Sequence, residues 1–392
     1  MDIETRRVAV IGGGVVGCAV AHALVRRGVE TTLFESEAAL ALGASGTNSG
    51  ILHTGFDSTP GELETRLILR SAQLRGDLLD ELGVAVWSCG ARLVPDGQQE
   101  REAVRRLAAG ARGNGVVAEL GPDGSLTVPG EAVTDPVAFV HALAGAARAG
   151  GGQVRLGTAV RGLWRTEGDR PSVVLGTGER WQAAAVVNCA GLFADEVAAM
   201  AGETPFGVYP RKGEFLVFRT PLEDPLERIL LPVPSAMGKG VLVFPTVDRR
   251  ALIAGPTARE RDDKGDWSVE GDAPELILPR ARRMYPPLEH AERVGAYAGL
   301  RPAGRAGANY VIEPSGTLPG LLHVAAIRST GLSASLAIGE YVVGMLAELG
   351  RIAPGAPRRL PLPSQAPSGE PWWERAARHR GMIGPPAGEE PS

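Results

Sequence analysis

Three groups of residues combine the types and the spacing that chemistry requires. His53 lies in a loop crowded with Gly, Ser, Thr and Asn, from Leu42 to Ser58, and not on an apolar face. An imidazole titrates near neutrality, so this residue can accept a proton from a substrate; the plainer alternative is a histidine that only hydrogen-bonds a ligand or the loop backbone. Lys239 and Arg301, the second group, are flanked by Gly238, Gly240 and Pro302. A point charge with a guanidinium fork would hold a phosphate in a pocket of low dielectric, whereas the ordinary fate of a lysine or arginine is a solvated strand end. Lys212, Arg305 and Arg328 are further cationic candidates. The third group is Gly12, Gly14 and Gly17 with Glu35. Gly12 permits a tight turn, Gly14 lets backbone approach a pyrophosphate, and Gly17 lets a helix lie close on a strand. Glu35 can accept hydrogen bonds from ribose hydroxyls, and its charge disfavours a 2′-phosphate and hence NADP. His323 falls in an apolar strand and reads as structural, while His22, His141, His290 and His379 carry no partner signature.

These groups imply the elements that position them. Apolar Val8 to Ile11, the glycine turn, a helix-patterned stretch and a second apolar run ending at Glu35 make a complete βαβ unit, whose helix N-terminus offers N–H groups to phosphates. A helix is expected from Thr59-Pro60 to about Leu82, another near Gln98–Gly110, and a third, capped by Thr134-Asp135-Pro136, over Val137–Ala149. Residues 211–311 alternate in the manner of an antiparallel sheet. Nucleotide-binding texture returns at Leu321 to Ala326, followed by a second glycine turn at Thr330-Gly331 that opens a helix from Ser333 to about Leu349. The expected fold is α/β: a discontinuous Rossmann-like dinucleotide domain (residues 1–90, 150–208 and 319–353) and a mixed or antiparallel-sheet substrate domain (91–149 and 209–318). A Pro-rich tail (354–392), with Trp372-Trp373 as its apolar anchor, is expected to dock weakly or be disordered.

Composition excludes several classes. The chain has 392 residues, 44% hydrophobic and 22% charged, with a net charge of −4, and it carries no basic tract for nucleic acid. Apolar runs are too short or too interrupted by charge to span a membrane, so at most peripheral membrane contact is expected. Val8 already opens a strand, leaving no space for a signal peptide, and a cytoplasmic location is the default. Cys18, Cys89 and Cys189 form no metal-type pair, and no metal site is expected.

The N-terminal unit resembles the FAD-binding motif of the D-amino-acid-oxidase-like flavoproteins. The stretch Ala44-Ser45-Gly46-Thr47-Asn48-Ser49-Gly50-Ile51-Leu52-His53-Thr54-Gly55-Phe56-Asp57 closely resembles a segment shared by FAD-dependent glycerol-3-phosphate oxidases and dehydrogenases and by L-2-hydroxyglutarate oxidases. Ser329 to Ser335 resembles the last flavin-contacting loop of these enzymes, and Val186–Asp195 their internal strand and turn. Gly238 to Val241, Gly255 to Ala258 and Gly299 to Pro302 look more like the glycerol-3-phosphate branch. Arg328, and Thr54 in place of a common alanine, depart from the pattern. The resemblance implies FAD held by Gly12, Gly14, Val15, Val16, Gly17, Glu35, Ser36, Ser45, Thr47, Asn48, Ser49, Ala190, Gly191, Arg301, Thr330, Gly331, Leu332 and Ser333. It also implies a reaction in which His53 takes a hydroxyl proton, hydride passes to flavin N5, and Arg301 with Lys239 and Ser49 holds a small anionic 2-hydroxy substrate such as glycerol 3-phosphate. The final electron acceptor would be oxygen or a quinone-like molecule. Competing readings are an L-2-hydroxy-acid oxidase, an amine or amino-acid oxidase, and a nucleotide-binding regulator without turnover.

Overall fold

The computed structural model describes residues 7–166, 168–234, 240–361 and 370–379. The first strand, β1 (Val8–Ile11), is buried along its whole length, as a central strand of a parallel sheet must be. Its side chains divide by the period of two: Val8 and Val10 pack towards the helices, Ala9 and Ile11 towards Phe34, Leu163, Val173 and Trp181 on the opposite face. β1 lies in parallel register between β2 (Thr31–Phe34) and the strand Ala185–Asn188. Leu321–Ala325 extends the sheet beyond Ala185–Asn188, Gln153–Arg155 extends it beyond β2, and Val311–Pro314 closes one edge antiparallel.

Helix α1 (Val15–Arg26) packs against helices Pro136–Ala149 and Gly331–Glu348, and the latter packs on Leu63–Glu81. Gly339 allows the close approach: a Cβ there would sit 2.7 Å from the Ala19 carbonyl oxygen. The sheet's other face is covered by a three-stranded antiparallel meander, Val160–Thr166, Arg170–Leu175 and Arg180–Gln182.

A second, mixed sheet is built on the long strand Val208–Arg219, which runs antiparallel to Arg293–Gly304 for nearly its full length. Ala251–Gly255, Leu242–Pro245, Ile229–Leu231, Ala91–Leu93 and Leu126–Val128 continue it. A mixed α/β architecture is therefore observed, as the sequence implied. Helix Pro136–Ala149, which the sequence division puts with the substrate unit, instead packs on α1, because its buried Val137, Val140, Leu143 and Ala147 are the apolar partners α1 requires.

Two local expectations are corrected. The helix expected at Thr59-Pro60 begins at Leu63; Gly61 adopts φ +87, a left-handed turn that interrupts helical backbone ahead of it. The tail is not loosely docked where it is described. Leu360, Trp372 and Trp373 are all buried, and the Trp372 ring meets Tyr297 edge-on at 5.4 Å. Gly295 makes room for Trp373, whose ring would stand 2.6 Å from a Cβ at that position. Among the described residues no helix is long and apolar enough to cross a membrane.

Candidate active site

The glycine turn after β1 fixes one end of the site. Gly12 has φ +107, and a Cβ there would lie 2.5 Å from the Cys189 carbonyl oxygen; a Cβ on Gly17 would lie 1.9 Å from that of Gly12. Neither position tolerates a side chain. The Gly13 N–H donates to Glu35 Oε2 at 2.6 Å, and Glu35 Oε1 accepts from Ser36 Oγ at 3.1 Å and the Glu37 N–H at 2.8 Å. Ser45 Oγ accepts from the Val15 N–H at 2.9 Å. On the far side of the turn, the Ala190 N–H donates to Asn188 Oδ1 at 3.2 Å and Gly191 adopts φ +59.

Helix Gly331–Glu348 brings its N-terminus to the same place, since a Cβ on Gly331 would be 3.8 Å from Val16 Cγ2. Neither this helix nor α1 has an acidic first turn or a side-chain cap from its N-cap residue. Two positive dipole ends therefore converge, that of α1 with its Val15 N–H already taken by Ser45 Oγ. Small residues at the turn, a carboxylate behind it and these helix ends fit an extended, phosphate-bearing dinucleotide such as FAD.

His53 is held from three sides. Its backbone N–H donates to Ser333 Oγ at 2.8 Å, on the first turn of that helix, and Ser333 Oγ donates to the Ile51 carbonyl at 3.3 Å. Its Nδ1 lies 2.8 Å from Glu131 Oε2. Glu131 is fully buried and also accepts from the Thr54 N–H at 2.7 Å and the Thr54 hydroxyl at 2.8 Å. Arg75 Nη1 donates to the Leu52 carbonyl at 2.8 Å and to the His53 carbonyl at 3.3 Å, and Arg75 also reaches the Gly130 carbonyl. A buried carboxylate on Nδ1 fixes the tautomer in which Nε2 is the free acceptor. Glu131 escaped the reading of the sequence. It sits in the tight connection between Leu126–Val128 and Ala132–Thr134, where an acid reads as an ordinary turn residue. Thr54, a departure from the resembled pattern, supplies two of the three hydrogen bonds that complete this carboxylate.

A cavity of about 710 Å³ opens beside the loop. Thr47, Asn48 and Ser49 line it on one side, although Asn48 Oδ1 and Ser49 Oγ also cap their own loop by accepting from the Gly50 and Ile51 N–H groups. On the other side lies one face of the long two-stranded ladder, where Tyr209, Arg211 and Phe215 alternate inward with Gly299, Arg301, Ala303 and Arg305 opposite them. Arg211 and Arg301 are direct cross-strand partners, an arrangement that like charges disfavour.

Arg301 donates only to carbonyls: Nε to Arg211 at 2.9 Å, and Nη2 to Thr257 at 3.1 Å and Lys212 at 3.2 Å. Burial, and then the neighbouring charges of Arg211 and Arg328, lower its pKa to about 10. Arg328 donates to Glu64 Oε2 at 2.7 Å, while Thr330 Oγ1 donates to Glu64 Oε1 at 2.6 Å. The Nε atoms of both Arg211 and Arg328 are buried without a partner among the described residues.

The remaining cationic candidates lie elsewhere or are already paired. Lys212 is fully buried and bound to Asp266 at 2.8 Å, Ser268 at 3.0 Å and Glu270 at 3.4 Å, so it serves the packing beneath the sheet. Arg305 lines the cavity but pairs with Asp262 at 2.7 Å. Lys239 lies outside the described residues. His323 is buried between Asn188 and Glu203, at 3.1 and 2.9 Å.

Comparison with known proteins agrees with this geometry. The model of the DAO family, FAD dependent oxidoreductase, matches residues 7–345. The glycerol 3-phosphate dehydrogenase of Caloramator mitchellensis is 29% identical over 361 residues, covering 88% of this chain and 74% of that protein. The glycerol 3-phosphate oxidase of Mycoplasma pneumoniae is 28% identical over 374 residues, covering 88% and 95%. The dithionite-reduced L-alpha-glycerophosphate oxidase of the same organism, solved with FAD bound, superposes with a TM-score of 0.81 at 27% identity, over 88% of this chain and 95% of that one. The chain therefore belongs to the DAO family of FAD-dependent oxidoreductases.

Proposed function

We propose that the chain oxidises a secondary alcohol on a small anionic substrate, with glycerol 3-phosphate or a close phosphorylated analogue as first candidate. The observation that carries this reading is the His53–Glu131 pair. A substrate hydroxyl must lose its proton as the carbon is oxidised, and a histidine backed by a buried carboxylate accepts that proton on Nε2 and holds the resulting charge. An amine substrate can enter already deprotonated and would leave the pair with little to do. Bound FAD supplies the acceptor for the hydride leaving the carbon. Arg301 and Arg211 fix the anionic end, while Ser49 and Asn48 line the same cavity on the loop that carries His53. The converging turn and helix ends, from Gly12 to Gly17 and from Thr330 to Ser333, hold the cofactor, with Glu35 on the ribose. The nucleotide part takes residues 1–90, 150–208 and 319–353, and helix Pro136–Ala149 joins it; the rest of 91–149 with 209–318 forms the substrate part.

An L-2-hydroxy acid is the second reading, because a guanidinium fork matches a carboxylate as well as a phosphate. Anaerobic mixing of the yellow holoenzyme with glycerol 3-phosphate, L-2-hydroxyglutarate or amino acids separates these readings. Loss of flavin absorbance with the phosphate ester supports the first, and with L-2-hydroxyglutarate alone the second. Reduction by amino acids alone refutes both alcohol assignments.

A further inference from the structure

The cavity carries more positive charge than one phosphate neutralises. Five arginines line it, Arg211, Arg280, Arg301, Arg305 and Arg328, and no Asp or Glu does so among the described residues. Two of the five are paired with acids from outside the lining, Arg305 with Asp262 and Arg328 with Glu64. Among the described residues that leaves an excess of three positive charges, whereas a phosphate monoester brings about −1.5 to −2.

The arginines also fall into two stations. Arg211 and Arg301 come from the sheet ladder, while Arg328 comes from the loop that leads into helix Gly331–Glu348. Arg328 holds φ +50, a left-handed conformation that a non-glycine residue adopts at a cost, and such strain gathers at ligand sites. Glu64 anchors one end of its guanidinium and leaves Nε buried and unpartnered. A buried donor with no acceptor is costly, and an anion delivered by a ligand satisfies it.

Resting on the proposed alcohol oxidation, we infer that the substrate carries two anionic groups, a phosphate at Arg211 and Arg301 and a carboxylate at Arg328. The substrate class is then a phosphorylated 2-hydroxy acid. A phosphate and a carboxylate together bring about −2.5 to −3, against the three charges of Arg211, Arg280 and Arg301, while Arg328, its charge already met by Glu64, contributes the unpartnered Nε as a donor. The hydroxyl between them is the group offered to His53.

The test uses ligands that cannot turn over, so that it fails separately from the proposed oxidation. 2-Phosphoglycolate and 3-phosphonooxypropionate carry both anions and lack the oxidisable hydroxyl. Calorimetric titration into the holoenzyme is expected to show one of them binding at least about tenfold tighter than inorganic phosphate, the margin of one charge-assisted contact. Arg328→Gln is expected to erase that margin while phosphate binding changes less than about threefold. If both compounds bind no tighter than phosphate, or if Arg328→Gln weakens all three ligands alike, the second anion site is wrong even where glycerol 3-phosphate bleaches the flavin. Arg328→Lys, which keeps the charge and loses the fork, is expected to fall between the two proteins, and a margin unchanged in this variant refutes the fork geometry.

Discussion

Replacing Glu131 with glutamine tests whether His53 is an activated base. The substitution keeps size and burial and removes only the charge that faces Nδ1 across 2.8 Å. In the proposed reaction His53 becomes an imidazolium, and the glutamine variant loses that cation's attraction to Glu131. A unit-charge pair is worth roughly 4 kcal/mol at a separation near 4 Å and an effective dielectric near 20. The His53 side chain is 21% exposed while that of Glu131 is fully buried, so solvent screening halves this to about 2 kcal/mol, or roughly a 30-fold slower reductive step. Glutamine also presents its amide N–H₂ to a site built entirely of donors, the Thr54 N–H and hydroxyl and His53 Nδ1, which adds to the loss. The rate of flavin bleaching after anaerobic stopped-flow mixing reads this step alone. Saturation by substrate should be preserved, because Glu131 does not line the cavity. A rate within threefold of the parent enzyme, or an effect confined to the saturation constant, refutes the assignment of the pair.

Two further outcomes follow from the substrate sheet and the tail. Burial would raise the Asp266 pKa, but Lys212 and Ser268 outweigh it and hold the carboxyl down at about 2 against an ordinary 3.8. A depressed carboxyl contributes its full stability above 3.8 and loses it as pH falls towards 2; thermal melts of Asp266→Asn should therefore lose less of their stability in that window than those of the parent, and parallel acid limbs refute the pairing. Trp373→Ala removes a buried ring seated on Gly295 and should cost about 3–5 kcal/mol in urea unfolding, whereas a loss under about 1 kcal/mol would show the tail to be dispensable.

Sequence made the nucleotide end legible because its constraints are local. A Cβ on Gly17 would collide with the Gly12 carbonyl a few residues before it, and Gly12 must take a left-handed φ of +107, so their spacing reports the turn, although the Cβ excluded at Gly12 would also strike the distant Cys189 carbonyl. Asp135 was equally readable: its carboxylate accepts from the Val137 and Ala138 N–H groups immediately downstream. The partner of His53 was not legible, since Glu131 and His53 meet only after two distant segments pair into the small sheet of Ile51–Leu52 with Ala132–Thr134. Lys212 and Arg301 look alike in sequence, both on long alternating strands. Side-chain parity separates them: Arg211 faces the cavity, and its neighbour Lys212 points to the opposite side, into acids from 266 and 270. The tail misled because its composition is that of a disordered segment, while in its described part Leu360, Trp372 and Trp373 are buried against the body.

The position of helix Gly331–Glu348 bears on how the protein is made. It packs between α1 and helix Leu63–Glu81, and its Ser333 fastens the backbone of His53. During synthesis the βαβ unit leaves the ribosome long before the second dipole end and the Ser333 anchor of His53. The parallel sheet waits as well, because Ala185–Asn188 must be inserted beside β1 and Leu321–Ala325 beside that. Contacts of such long sequence separation form slowly. A nascent chain that has not yet made helix Gly331–Glu348 therefore carries an incomplete nucleotide cradle and a His53 loop without its Ser333 anchor.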